Sequence, residues 1–342
     1  MKIDIFQPLF KNIEGSPLHK AWLSTGMDVK FYPGNLSLNY RNKFELLIKN
    51  YPKLFLFALI NSYRALTKRD PDFIIVNSDV EVIAVSLIKF LLLKKSKIIL
   101  LGFIFTRRKS RQLKVIRRFY FKLVLSLASI SICHSTYEKK VYDRYFNLSK
   151  LKIHYIPYAL HVYKPKDDNN WEEEYIVSAG RSNRDYKLLI QVATDLPYRF
   201  KIICDNPRLV SINCNTKNIE VISGCYGANY ISILNNARLI VIPLAVSDIS
   251  AGQMVLLQAM ALGKPVIITK TRSTIEYGSH LKTVYFCKLG DLDDLKSAIL
   301  YLMQNRSISD QISSNAKKYY EENHTIESYV KNIAHLIVSM QS

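Results

Sequence analysis

The sequence predicts an α/β protein of two doubly wound domains facing each other across a cleft. Three observations predict it. Short β-rich apolar runs alternate with longer helical patterns along the whole chain. The alternation restarts after a polar break at residues 158–174. The 342 residues suffice for about two domains at roughly 100–200 residues each.

In the first half the strand candidates are Lys2–Phe6, Phe73–Asn77, Lys97–Gly102, Ile130–His134 and Lys152–Ile156. Helical patterns lie between them at Pro52–Thr67, Val80–Leu93, Gln112–Leu127 and Glu138–Phe146. The polar break carries Lys-Pro-Lys-Asp-Asp-Asn-Asn and then three glutamates, too polar to form a core. Beyond it the strand candidates are Tyr175–Ala179, Phe200–Cys204, Ile219–Ile222, Leu239–Pro243, Pro265–Thr269 and Thr283–Phe286. The helices expected there are Arg184–Asp195, Ala228–Asn236, Gln253–Leu262, Leu292–Asn305, Ile308–Asn323 and Ile326–Met340. The domains are therefore expected at residues 1–160 and 161–325, with a last helix over 326–342 crossing back to the first.

Charge divides along the same line. Residues 1–160 hold 28 Lys/Arg against 10 Asp/Glu, whereas residues 161–342 hold 20 against 18. The basic half should face something anionic. Five cysteines, odd in number and without a C-x-x-C, imply neither a disulfide framework nor a zinc site, and with no Asp-x-Asp in a plausible metal loop no metal or other cofactor is expected. The opening Met-Lys-Ile-Asp-Ile-Phe reads as a strand, and no run of 18 apolar residues occurs, so a cytoplasmic protein is expected.

In doubly wound sheets, ligands bind beyond the carboxyl ends of the strands. After Ala179 come Gly180, which permits a tight turn, and then Arg181 and Arg184, placed to hold a diphosphate at the start of a helix. After Pro243, the residues Ser250, Ala251, Gly252 and Gln253 lie at the start of a helix with few charges, where small residues let a ligand reach backbone N–H groups. Gln258 falls two turns further on, either toward the ligand or capping a neighbour in the core.

These segments resemble the nucleotide-sugar site of GT-B glycosyltransferases of family 4 (group 1). Ala259-Met260-Ala261 and Gly263-Lys264-Pro265-Val266 match that family's pattern. Arg181 and Arg184 match its Arg and Lys, while Ile156-Pro157-Tyr158 and Gly290-Asp291 resemble two further motifs. The resemblance covers residues 153–305. It implies a retaining, metal-independent transfer from a nucleoside-diphosphate sugar. Ser250 and Gln258 stand where the family has two glutamates, keeping seven residues between them; both can hydrogen-bond, and neither carries charge. In the first half the resemblance is weaker: Gly15 and His19 stand for a two-glycine loop, and Gly102-Phe-Ile-Phe lacks the family's histidine.

Between Glu81 and Glu138 there is no acidic residue, and twelve Lys/Arg are interleaved with aromatics. Arg107, Arg108, Lys109, Arg111, Lys114, Arg117 and Arg118 form its densest part, a pattern suited to an anionic membrane surface or a lipid phosphate. Together with the resemblance, this implies a lipid-linked saccharide acceptor, polyprenyl-diphosphate type, at the inner membrane face in bacterial surface-polysaccharide assembly. An inactive glycosyltransferase-like binding protein and a basic nucleic-acid-binding protein are the alternatives, though no nucleic-acid motif is visible and the matching half is nearly neutral.

Overall fold

The computed structural model describes residues 1–36, 49–105, 111–147, 152–163, 174–206, 210 and 217–340. The chain divides into two units: Met1–Pro157 with Tyr329–Ser342, and Tyr158–Ser328. Each carries one parallel six-stranded sheet. Among the described residues no helix is long and apolar enough to cross a membrane.

The first unit runs β1 (Lys2–Gln7), α1 (Pro17–Leu23), β2 (Asp28–Pro33), α2 (Tyr51–Lys68), β3 (Phe73–Val76), α3 (Asp79–Leu91), β4 (Lys97–Leu100), α4 (Arg111–Leu127), β5 (Ile130–Cys133), α5 (Thr136–Phe146) and β6 (Ile153–Tyr155). Its sheet order is β2-β1-β3-β4-β5-β6. The central β3 and β5 are buried at every position, as strands covered on both faces must be. β2 and α1 differ from expectation, since neither was foreseen. β2 is an edge strand with alternating exposure and no continuous apolar run. α1 has only 7 residues, started by Ser16, whose hydroxyl accepts from the His19 N–H, and by Pro17. Buried Asp4 on β1 pairs with Arg69 at 2.7 Å, and Arg69 also bonds the Asp28 carbonyl at 2.6 Å, tying the first two strands to the end of α2.

The second unit runs β7 (Tyr175–Ala179), α6 (Tyr186–Thr194), β8 (Arg199–Ile203), β9 (Ile219–Ile222), α7 (Gly227–Asn236), β10 (Leu239–Ile242), α8 (Gln253–Ala261), β11 (Val266–Thr269), β12 (Tyr285–Cys287), α9 (Leu292–Gln304) and α10 (Arg306–Asn323). A last helix, α11 (Ile326–Ser339), lies mostly in the first unit, where the Lys97 ammonium bonds the Met340 carbonyl and Tyr329 meets the His134 ring. The second sheet has the order β12-β11-β10-β7-β8-β9. The chain therefore starts in the middle of the sheet and winds outward in both directions, reversing between β7 and β10. Alternate residues of the strands feed two cores. Val177, Ala179, Ile240 and Ile242 pack with α8, whereas Ile176, Ile202 and Val241 pack with α6 and α9.

At the start of α3, Ser78 and Glu81 cap the helix reciprocally. The Ser78 hydroxyl accepts from the Glu81 N–H at 3.2 Å, and Glu81 Oε2 accepts from the Ser78 hydroxyl at 2.8 Å and the Asn77 N–H at 3.1 Å. The other carboxylate oxygen is buried without a partner, and burial raises the Glu81 pKa to about 7. The folded protein thus holds a proton here that the unfolded chain releases near its ordinary carboxylate pKa. This contribution to stability is present at low pH and is lost as pH rises to about 7. Glu81→Gln keeps an acceptor and removes the charge. It should raise Tm at pH 8 relative to wild type by about 5 °C and change it little at pH 5, as read by scanning calorimetry.

Candidate active site

Two loops meet where the second sheet reverses direction, at the carboxyl ends of β7 and β10. Residues 180–185 follow β7 and residues 243–252 follow β10. They are sewn together by backbone and side-chain bonds: the Asp185 N–H to the Pro243 carbonyl at 3.0 Å, the Ala245 N–H to the Asn183 carbonyl at 3.2 Å, and the Asn183 side-chain amide to both main-chain groups of Val246. Arg184 and Leu244 form an antiparallel bridge. Asp185 then caps α6 by accepting from the Leu188 N–H.

Arg184 sits inside this seam, before the cap rather than on the helix where the sequence pattern put it. It is only 7% exposed. Its Nε donates to the Ala179 carbonyl at 2.9 Å and its Nη1 to the Ser182 carbonyl at 2.8 Å. Gly180 makes room for it: at φ 111 a side chain is strained there, and a Cβ would lie 2.6 Å from Arg184 Nη2. No carboxylate pairs with Arg184 among the described residues, and burial pushes its pKa down. A cation desolvated among neutral carbonyls is costly until an anion joins it. Arg181, by contrast, is exposed.

The start of α8 is the second anion-receptive feature. Its N-cap is Gly252, which offers no side chain, and the first turn holds no acid. The free N–H groups and the positive end of the helix are left for a ligand. Gly252 has φ 91, and a Cβ would approach Ile242 to 3.2 Å. Gln253, at the first helical position and 8% exposed, has its side-chain Nε2 buried without a partner. Ala251 is buried and Ser250 half-buried beside it.

The structure therefore brings Gly180, Arg181, Arg184, Ser250, Ala251, Gly252 and Gln253 to one end of one sheet. Gln258 takes the core-capping option: its Oε1 accepts from the Tyr230 hydroxyl on α7 at 3.0 Å, and burial pushes the Tyr230 phenol up to about 12. One cluster at the same sheet end was missed. Asp205, just past β8, accepts from the Tyr226 hydroxyl at 2.6 Å and from the Gly224 N–H at 2.8 Å. These bonds, with Arg181 as a lesser influence, hold its carboxyl below the usual range. Tyr226 is left with an exposed ring. Asp205 and Tyr226 are 21 residues apart, on loops with no motif to announce them.

In the first unit, Gly15 and His19 do come together, with the Gly15 N–H donating to His19 Nδ1 at 3.3 Å. His134, just past β5, donates from Nδ1 to the Ile156 carbonyl at 2.9 Å, and burial pushes its pKa down. Of the basic patch, Lys114 and Arg118 are exposed on α4. Arg117 corrects the expectation of an outward cation: its guanidinium lies over the Phe105 and Phe121 rings, 5.6 and 5.1 Å from their centroids. Arg107, Arg108, Lys109 and the Arg111 side chain lie outside the described residues.

Residues 163–319 match the family model for glycosyl transferases group 1. Sucrose-phosphate synthase from Thermosynechococcus elongatus has the same fold, with a TM-score of 0.73 at 15% identity over 99% of each chain. HepE from Anabaena, solved in complex with UDP-glucose, gives 0.68 at 13% identity over 99% of this chain and 100% of that one. The lipopolysaccharide outer core galactosyltransferase WaaB gives 0.63 at 14% identity over 99% and 100%. No curated protein matches the sequence.

Gly180→Ala combines a left-handed φ with a collision against Arg184. It should lower the free energy of unfolding by about 1–3 kcal/mol in urea denaturation. An unchanged midpoint would mean that the guanidinium does not rest on Gly180.

Proposed function

Residues 163–319 match the group 1 glycosyltransferase model and the chain has a GT-B fold, and from that premise we propose that it is a sugar transferase, moving a sugar from a nucleoside-diphosphate donor to a lipid-linked saccharide acceptor. The single observation that carries the donor half is the buried Arg184, paired with no carboxylate among the described residues and set at the same sheet end as the uncapped start of α8. Both features favour a diphosphate, one by direct charge and one by N–H groups and the helix dipole. Arg181 adds an exposed cation, and Gln253 and Ser250 are polar groups for the sugar. Tyr226 and Asp205 offer a ring and an acceptor for the nucleoside. UDP is the first nucleotide to test, because HepE was solved with UDP and UDP-glucose.

In the transfer, the bond between the anomeric carbon and the diphosphate oxygen breaks and its electron pair leaves with the diphosphate. The acceptor hydroxyl oxygen bonds the anomeric carbon, and its proton passes to the departing phosphate. Arg184, Arg181 and the α8 N-terminus stabilise the charge that develops on the leaving group, so the reading is metal-independent. Retention of configuration is part of the same proposal and follows the family resemblance.

The acceptor half is supported by the first unit. Part of its excess of cations lies on α4, where Lys114 and Arg118 are exposed beside exposed Ile116 and Phe119. Such a face suits peripheral attachment to an anionic membrane, where a polyprenyl-diphosphate acceptor of surface-polysaccharide assembly would reside. WaaB, named a lipopolysaccharide outer core galactosyltransferase, shares the fold, and that name supports a surface-polysaccharide reading.

Thermal unfolding with UDP, GDP, ADP, TDP and their sugars tests the donor half. A nucleotide at 100 times its Kd should add about 2.7 kcal/mol of stability. Arg181→Ala, at an exposed position, should weaken that nucleotide roughly tenfold without lowering Tm, and Arg184→Lys should weaken it further by losing the guanidinium fork. If no nucleotide moves Tm, the donor assignment is wrong.

A further inference from the structure

The helix layer of the first unit holds a groove that the donor site does not use. It lies between α4 and α5, encloses about 450 Å³, and is lined by Arg118, Tyr137, Lys140, Val141, Arg144 and Tyr145. The five α5 residues recur at intervals of three and four, so they form one helix face. The neighbouring face, through Glu138, Tyr142 and Phe146, is the one buried in the core. A cationic stripe has therefore been built alongside the packing stripe.

Among the described residues the three cations of the groove have no acid to answer them. α4 contains no Asp or Glu. On α5, Glu138 is buried on the core side and Asp143 is paired with Lys139 at 2.7 Å. Among the described residues none of Arg118, Lys140 and Arg144 forms an ion pair. Arg118 is braced over the Tyr145 ring, 5.2 Å from its centroid, which fixes its fork at the groove wall. A fork, a second guanidinium and an ammonium around a concave surface suit a phosphate group.

What carries the phosphate follows from the rim. On α4, Val115 and Phe119 are one turn apart and adjoin Arg118 on the helix surface, and they are 50% and 70% exposed. A soluble phosphate gains nothing from apolar side chains held in water. A phospholipid brings acyl chains that cover them while its headgroup meets the cations. We propose that the groove between α4 and α5 binds the headgroup phosphate of an anionic phospholipid, with Val115 and Phe119 set into the bilayer interface beside it. This rests on the reading that the first unit attaches to a membrane, and it adds the residues that make the attachment a site: Lys140, Arg144, Tyr137 and Tyr145 with Arg118.

The test is co-sedimentation of the full chain with phosphatidylcholine vesicles, with and without phosphatidylglycerol, at fixed ionic strength. The variants are Lys140→Gln with Arg144→Gln, and a charge-matched pair on the second unit, Lys282→Gln with Lys318→Gln. Circular dichroism and Tm check that each variant is folded. Loss of two surface cations at the site should weaken binding to the phosphatidylglycerol vesicles by about 30-fold, with the control pair changed by less than about threefold. Equal losses in both pairs would mean diffuse attraction and would overturn the groove. Binding by wild type that neither pair weakens would overturn the groove and leave membrane attachment standing. Failure of wild type to bind either vesicle would overturn the attachment itself. Inorganic phosphate is the remaining arm: if it raises Tm of wild type but not of the Lys140/Arg144 variant while vesicles are ignored, the ligand is a free phosphate and the lipid assignment fails.

Discussion

A guanidinium buried among carbonyl oxygens is the constraint from which the ligand end of the second unit follows. Arg184 can be desolvated only because Ala179 and Ser182 turn their carbonyls toward it, and Gly180 alone leaves it space. Those carbonyls are aimed by the seam between the β7 and β10 loops, which Asn183 and Asp185 close. The seam in turn exists because the sheet reverses direction between these strands, leaving their loops side by side. Hydrogen bonds to neutral groups satisfy the geometry of the cation but not its charge. An anion bound there would meet the remaining electrostatic demand, and the uncapped α8 terminus makes the same demand from the other loop.

Around this point the second unit is close to charge-neutral, whereas the first carries most of the excess of Lys and Arg. The asymmetry separates two electrostatic tasks. Inside the second unit a few oriented groups act at short range in a desolvated setting, where each is worth much. On the first unit many of the cations are exposed and screened, so each of these contributes little and number matters. α4 shows how the cations of one helix are divided between solvent and structure. Arg117 is spent on the Phe105 and Phe121 rings, Arg118 stands over Tyr145 at the groove, and Lys114 faces water.

Most of the fold was legible because each central strand is a continuous apolar run bounded by turn residues and each helix has its own period. The strand Tyr175–Ala179 and the strand Ile219–Ile222 were placed residue for residue. β2 was not legible, since an edge strand alternates and its Lys30 and Asp28 read as loop. α1 was too short to show a period. The donor-site glycines could be found because a glycine after a strand, or before an uncharged helix, has few other reasons to be there.

By itself the sequence determined where the candidate site lies and, Asp205 and Tyr226 apart, which residues stand there, because strand ends and helix starts are local properties of a chain. Only the tertiary structure decided what those residues do. Arg184 turns inward because Leu244, 60 residues further on, pairs with it. Gln258 is taken by Tyr230, and Asp205 by Tyr226. In each case the deciding partner lies on another element or loop of the second unit, and hydrogen bonds across such distances in sequence leave no period, spacing or composition for a one-dimensional reading to detect.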